Sequence, residues 1–138
     1  MPVFFTDRDL GKQFPAILRA AGLDVERHAD HFAPAAPDEE WLAVAGAQGW
    51  LAITHDARIR YKPNELAAVK RNRVALFVVV GDAPHAELAT NFVRTVPRVE
   101  VFATQHVPPY IAKVYRPSKT ELAVDFDAPG TVTLWFPR

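Results

Sequence analysis

The stretch Val3-Phe4-Phe5-Thr6-Asp7-Arg8-Asp9-Leu10 (residues 3–10) decides the reading of the whole chain. Its apolar run predicts a short strand over Val3–Thr6, with two acids directly after it. An acid ending a buried strand has little structural use, so Asp7 reads as functional. Asp9 has a second reading as a helix N-cap. The pattern returns at Trp50-Leu51-Ala52-Ile53-Thr54-His55-Asp56, where another apolar run is closed by an acid. In an open parallel α/β sheet the carboxyl ends of the strands share one edge, and ligands bind there. Asp38 opens a helix-like segment and adds a further acid beside the same strands. It also reads as an ordinary helix start, because acids favour the positive dipole end. Gathered carboxylates repel one another and desolvate poorly, and a hard divalent cation, Mg2+ or Mn2+, is the usual remedy. These residues point to a metal-dependent enzyme acting on a phosphate.

Working outward, the apolar periodicity predicts a helix over 9–21 with Leu10, Phe14, Ile17 and Leu18 on one face. Pro15 is awkward there unless the helix begins later or kinks. Leu23–His28 reads as a second strand, 29–37 as a loop, and Asp38–Gln48 as a helix stopped by Gly49. Trp50–Thr54 is apolar on both faces, as a buried parallel strand should be. Residues 63–72 read as a helix with Pro63 in its first turn, and Val74–Val80 is the plainest strand of the chain. A helix over 84–96 and a fifth strand over Val99–Phe102 are expected next. Strands alternating with helices predict an α/β fold, a mainly parallel sheet between two helical layers. Glu121–Phe126 and Thr131–Phe136 alternate like a C-terminal β-hairpin. The expected division is a domain over 1–117 and a hairpin extension over 118–138.

The 138 residues suit one domain with a sizeable core. The chain has no cysteine, which excludes disulfides and thiolate metal sites. No segment approaches a membrane span, and no basic region followed by an apolar stretch opens the chain. A cytoplasmic protein without membrane contact is expected. Formal net charge is +0, which argues against strong non-specific nucleic-acid binding. The distribution is uneven. Residues 1–57 carry nine acids and four bases, whereas 58–73 carry six bases and Glu65 alone. Arg58, Arg60 and Lys62 follow Asp56 directly and are candidate phosphate contacts; a solvated helix face is the other reading. Thr54 and Asp56, two apart in extended backbone, point the same way, so Thr54 is a supporting candidate for a metal water or a phosphate oxygen. His55 then points away and is a neighbour instead of a base. His28 and His31 lack a third ligand for zinc.

Three segments together resemble a PIN domain, in particular the compact PIN-like group that includes VapC-type toxins. They are Phe5-Thr6-Asp7-Arg8-Asp9-Leu10, then Asp38-Glu39-Glu40-Trp41-Leu42-Ala43-Val44-Ala45, then Leu51-Ala52-Ile53-Thr54-His55-Asp56. The resemblance covers residues 3–115 through short, degenerate motifs in the family's order. It implies a PIN-like three-layer α/β/α fold and Mg2+- or Mn2+-dependent cleavage of RNA by water. Asp7, Asp38 and Asp56 would hold the metal, with Asp9 among the catalytic acids. It further implies a toxin of a type II toxin–antitoxin pair, a cognate antitoxin and a homodimer. The usual glutamate of the second helix region is missing; either Asp9 or Asp30 takes that role or the site is weakened. The C-terminal hairpin is not part of the family pattern. Asp7-Arg8-Asp9 is also similar to the first motif of haloacid-dehalogenase-like phosphatases. There Asp7 would be the nucleophile and Asp9 the acid–base group, with Thr54 and Gly81-Asp82 imitating later motifs. The third reading is a catalytically inactive PIN-like binding module whose acids cap helices.

Overall fold

The computed structural model describes residues 2–137. Its strands are β1 (Val3–Thr6), β2 (Asp24–Arg27), β3 (Leu51–Thr54), β4 (Ala75–Val79), β5 (Tyr110–Tyr115) and β6 (Thr131–Phe136). The helices are α1 (Gln13–Ala20), α2 (Asp38–Gln48), α3 (Pro63–Asn72), α4 (His85–Gln105) and α5 (Lys119–Val124). One six-stranded sheet runs in the order β2-β1-β3-β4-β5-β6. Its first five strands are parallel, and β6 lies antiparallel to β5.

The period of two along each strand sends neighbours to opposite faces and builds two cores. Phe4, Leu51, Ile53, Phe77 and Val79 meet Phe14, Leu18, Leu88 and Phe92 on one face. Phe5, Ala52, Leu76 and Val78 meet Trp41, Leu42, Ala45, Ala68 and Val69 on the other. Helices α1 and α4 pack together, as do α2 and α3, so the sheet is the middle of three layers. The expected α/β architecture is present. Gly46 lets α2 reach α3, because a Cβ there would fall on the Asn72 carbonyl.

The start of the first helix differs from expectation in a way that matters for the site. Residues 8–10 form a 3-10 turn, Gly11 takes a left-handed φ of 68°, and α1 starts only at Gln13. Pro15 therefore falls in the first turn, where its missing N–H costs nothing.

The second half of the chain corrects three expectations. The strand predicted over Val99–Phe102 is the last part of α4, which continues through Pro97 to Gln105. Val99 and Phe102 are buried while Val101 is 53% exposed, a helical spacing that a strand would not give. Residues 110–115 form β5, although Pro108-Pro109 and the interrupting Lys113 hid its apolar pattern. The hairpin between 121–126 and 131–136 does not form. Ser118-Lys119-Thr120-Glu121 is a capping box, with Ser118 Oγ accepting from Glu121 N and Glu121 Oε1 accepting from Ser118 N, and it starts α5 instead. Strand β6 then pairs with β5 and extends the main sheet.

Candidate functional site

Strands β1 and β3 are neighbours in register, Thr6 opposite Ile53, so the residues following each emerge side by side at the carboxyl edge. Asp7 N donates to Ile53 O at 2.9 Å and fixes that alignment. The Asp7 side chain turns inward and is 5% exposed. Its Oδ1 accepts from Arg8 N at 2.7 Å, and its Oδ2 from Thr54 Oγ1 at 2.9 Å. The 3-10 turn then swings Asp9 back toward β3. There Asp9 Oδ2 accepts from Thr54 Oγ1 and from His55 N, each at 3.1 Å. Asp9 is therefore not the cap of α1, and Lys12 holds the position before that helix.

Thr54 is fully buried and is the hub of the arrangement. Its hydroxyl has one hydrogen to offer, yet two carboxylates lie in donor range, while Asp56 N donates to it at 3.2 Å. Asp7 and Asp9 are therefore best satisfied when they share a proton or a cation between them. The electrostatics agree. Burial pushes the Asp7 carboxyl up to about 7, reinforced by the charges of Asp9 and Asp38 against the opposing Thr54 hydrogen bond. Burial also raises Asp9, opposed by the hydrogen bonds from His55 N and Thr54.

Asp38 and Asp56 complete the lining. Pro37 stands at the N-cap of α2, so Asp38 does not cap the helix with its side chain. Its Oδ1 accepts from Trp41 Nε1 at 3.0 Å. Asp56 Oδ2 pairs with Lys62 Nζ at 2.5 Å, and Oδ1 accepts from Arg58 N at 2.9 Å. Burial raises the Asp56 carboxyl, but Lys62 and Arg58 outweigh it and hold it below its ordinary value. Asp7, Asp9, Asp38 and Asp56 line one cavity of about 450 Å³, together with Arg8, Arg58 and Lys62. All four acids expected from the sequence thus face one space. Of the expected basic trio, Arg58 and Lys62 line it and Arg60 does not. The Arg60 guanidinium lies 5.3 Å from the Trp135 ring and 5.5 Å from the Tyr61 ring. Arg8, treated in the sequence only as a spacer between two acids, also lines the cavity. His55 Nδ1 is spent on Val79 O at 2.8 Å, which makes it a spacer between β3 and β4.

The donors are hard carboxylate oxygens with too little positive charge beside Asp7 and Asp9, a chemistry that fits a divalent cation. As the side chains are placed, no group of three or more acids or histidines among the described residues is close enough to hold one ion. The donor chemistry suits such an ion, while the side chains as placed do not converge on one point.

An open parallel sheet with carboxylates at the ends of adjacent strands defines a class of α/β proteins with an acidic site at the strand edge. Residues 2–81, more than half of the 138-residue chain, match the family described as PIN like domain, and the chain belongs to that family. Its fold is of the nuclease type, and PIN domains typically use divalent metals. The matched span contains all four acids of the cavity. No curated protein and no solved structure matches the chain. No helix among the described residues is long and apolar enough to cross a membrane.

Proposed function

We propose that this protein is a metal-dependent endoribonuclease whose centre is the acidic cavity at the carboxyl edge of β1 and β3. One observation carries the reading. Asp7 and Asp9 are drawn onto a single buried hydroxyl, Thr54, at the edge where Asp38 and Asp56 also face. Repelling carboxylates held this way have no structural reward, and a cation resolves the repulsion. Asp7, Asp9 and Asp38 would hold Mg2+ or Mn2+, with Asp56 joining once Lys62 moves to a phosphate. When bound, the metal supplies an activated water and charge stabilisation at phosphorus. The protein's part is positional. Thr54 orients Asp7 and Asp9, Asp38 is steadied by Trp41, and Arg58 and Lys62 supply positive charge where a phosphodiester would enter. The toxin of a type II pair, restrained by an antitoxin and paired as a homodimer, is the biological setting we propose. Family membership favours this chemistry over a phosphatase with Asp7 as nucleophile.

The ion pair between Lys62 and Asp56 favours a second reading, a PIN-like binding module without cleavage. RNase assays with and without Mn2+ separate the two. Mn2+-dependent cleavage by the wild type that is lost in Asp7→Asn supports the nuclease. Absence of cleavage together with no Mn2+ binding by titration calorimetry leaves the module.

A further inference from the structure

The sheet has two outer strands, β2 and β6, and they are built oppositely. β2 (Asp24-Val25-Glu26-Arg27) is four residues long, and three of the four are charged. Charged side chains on a short edge keep other strands off it. β6 (Thr131-Val132-Thr133-Leu134-Trp135-Phe136) is six residues long and carries no charge. It pairs with β5 on one side, so alternate N–H and C=O groups point away from the sheet on the other. Thr131, Thr133 and Leu134 are exposed along it. The register with β5 shifts at Trp135 and Pro137 follows the strand, so the regular open edge runs over 131–134. β6 also lies outside residues 2–81, the part matched to the family.

Two further features give this edge a self-matching shape. Leu134 is 44% exposed and lies on the α4 side of the sheet with Val132, two residues before it. Beside Val132 a groove of about 290 Å³ opens between α4 and β6, with Val101, Phe102 and Gln105 along its helix side. Val101 is 53% exposed there. Arg98, the cation of the lining, donates to Gly130 O at 2.7 Å, which leaves Val101, Phe102 and Val132 as an apolar floor. The molecule thus carries an exposed apolar side chain and an open apolar groove two residues apart on one strand. Its formal net charge is +0, so two copies do not repel as wholes.

We propose that β6 pairs antiparallel with β6 of a second copy of this chain, about a two-fold axis at Thr133. The axis stands perpendicular to the joined sheet and keeps each helical layer on its own side. Directly opposite residues then share a face, so Leu134 of each copy falls opposite Val132 of the other. There it enters the groove against Val101 and Phe102. Thr133 meets its own counterpart on the axis, hydroxyl to hydroxyl. A register centred one residue earlier would set Leu134 opposite Gly130 and leave the groove open. The joined sheet ends in the charged β2 on both sides, so pairing removes the uncharged edge altogether. The inference names the surface of the homodimer in the reading above and rests on that part of it, not on the RNA chemistry.

Sedimentation velocity on the full chain tests the pairing. The interface is small, below about 1,200 Å², and a dissociation constant on the order of 10 µM is expected. Wild type should pass from monomer to dimer as its concentration rises to about 200 µM. Thr133→Lys and Thr133→Glu place like charges on the axis, and each alone should stay monomeric at that concentration. Mixed in equal amounts they should dimerise again, because the two charges are then opposite. Leu134→Ala and Val101→Glu should each weaken the wild-type dimer on the order of tenfold. Val101 is an exposed position of α4, so Val101→Glu remains informative should the strand variants fail to fold. A wild type that stays monomeric overturns the pairing and leaves the edge to an extended segment of another protein. A dimer untouched by Thr133→Lys and Val101→Glu keeps the homodimer and overturns this surface. Lys and Glu variants that remain monomeric when mixed overturn the axis at Thr133, and the proposal with it. Mn2+-dependent cleavage by the wild type is scored separately. A dimer that cleaves no RNA sinks only the nuclease reading; a monomer that cleaves RNA sinks only the pairing.

Discussion

At the scale of residues, Asp7 carries the largest electrostatic cost. Its carboxyl is raised from 3.8 to about 7, first by burial and then by Asp9. The native state therefore holds a proton that the unfolded chain releases between pH ~4 and ~7. The sign follows: Asp7 is neutral in the fold at the low end of that window, and stability falls as pH rises through it. The upper bound of the loss is about 4 kcal/mol. Asp7→Asn should remove that slope, so in chelator the variant should become increasingly more stable than wild type from pH ~4 to ~7. Urea unfolding at several pH values measures it, and a stability difference that does not change with pH would refute the assignment. Added Mn2+ should raise the melting temperature of wild type more than that of Asp7→Asn, by mass action on the folded state. Thr54 yields a second test. Thr54→Val deletes the one hydroxyl serving Asp7 and Asp9 and should cost about 1–3 kcal/mol. Thr54→Ser keeps the hydroxyl and should lose less. A urea midpoint for Thr54→Ser below that of Thr54→Val would show that the methyl, not the hydrogen bonds, matters.

At the scale of elements, α4 is a 21-residue helix that tolerates Pro97 because Leu88, Phe92, Val96, Val99 and Phe102 bury one continuous stripe against the sheet. That burial outweighs the interior proline, which costs a helix about 3 kcal/mol. Pro97 is itself exposed, so no packing is lost on replacing it. Pro97→Ala should stabilise the protein by about 1–3 kcal/mol, read as a higher denaturation midpoint. A lower midpoint would mean that the local geometry around Pro97 is needed for α4 to fit. The short element before α1 shows the opposite balance. Gly11 in its left-handed conformation separates the 3-10 turn from α1 and lets Asp9 reach β3. A Cβ at that position would approach His85 Nδ1 to 2.8 Å as well as strain the backbone.

At the scale of the whole molecule, β6 is an edge strand of the sheet. It pairs along β5, and its Trp135 and Phe136 pack against the core on the α2–α3 face. Lys113 Nζ lies 4.1 Å from the Trp135 ring centroid and ties the two strands further. Truncation after residue 117 should therefore expose the β5 edge and part of that core, and the shortened chain should melt lower or aggregate. A truncated chain with the wild-type melting temperature and a monomeric elution volume would support residues 118–138 as a separable extension.

The alternating and continuous apolar runs determined the first half by themselves. β1 to β4, α2 and α3 follow from local pattern, because a buried parallel strand is a continuous apolar run and the helices are bracketed by Pro37 and Gly49 and opened by Pro63. Asp7, Asp9 and Asp56 are readable for the same reason, since each follows a strand whose end is visible in the chain, whereas Asp38 opens α2. Tertiary structure decided the rest. Val99–Phe102 joined a helix because burial of Val99 and Phe102 on one stripe outweighed their β-branched neighbour and Pro97. Residues 110–115 became β5 because β4 and β6 supplied hydrogen bonds on both sides. Arg60 went to Trp135 and Lys62 to Asp56, although both follow the same strand two residues apart. No local pattern encodes which residue, distant in sequence, waits for each side chain. The orphaned Nε2 of His28 is of the same kind, because a missing partner is a property of the packed interior and not of the chain.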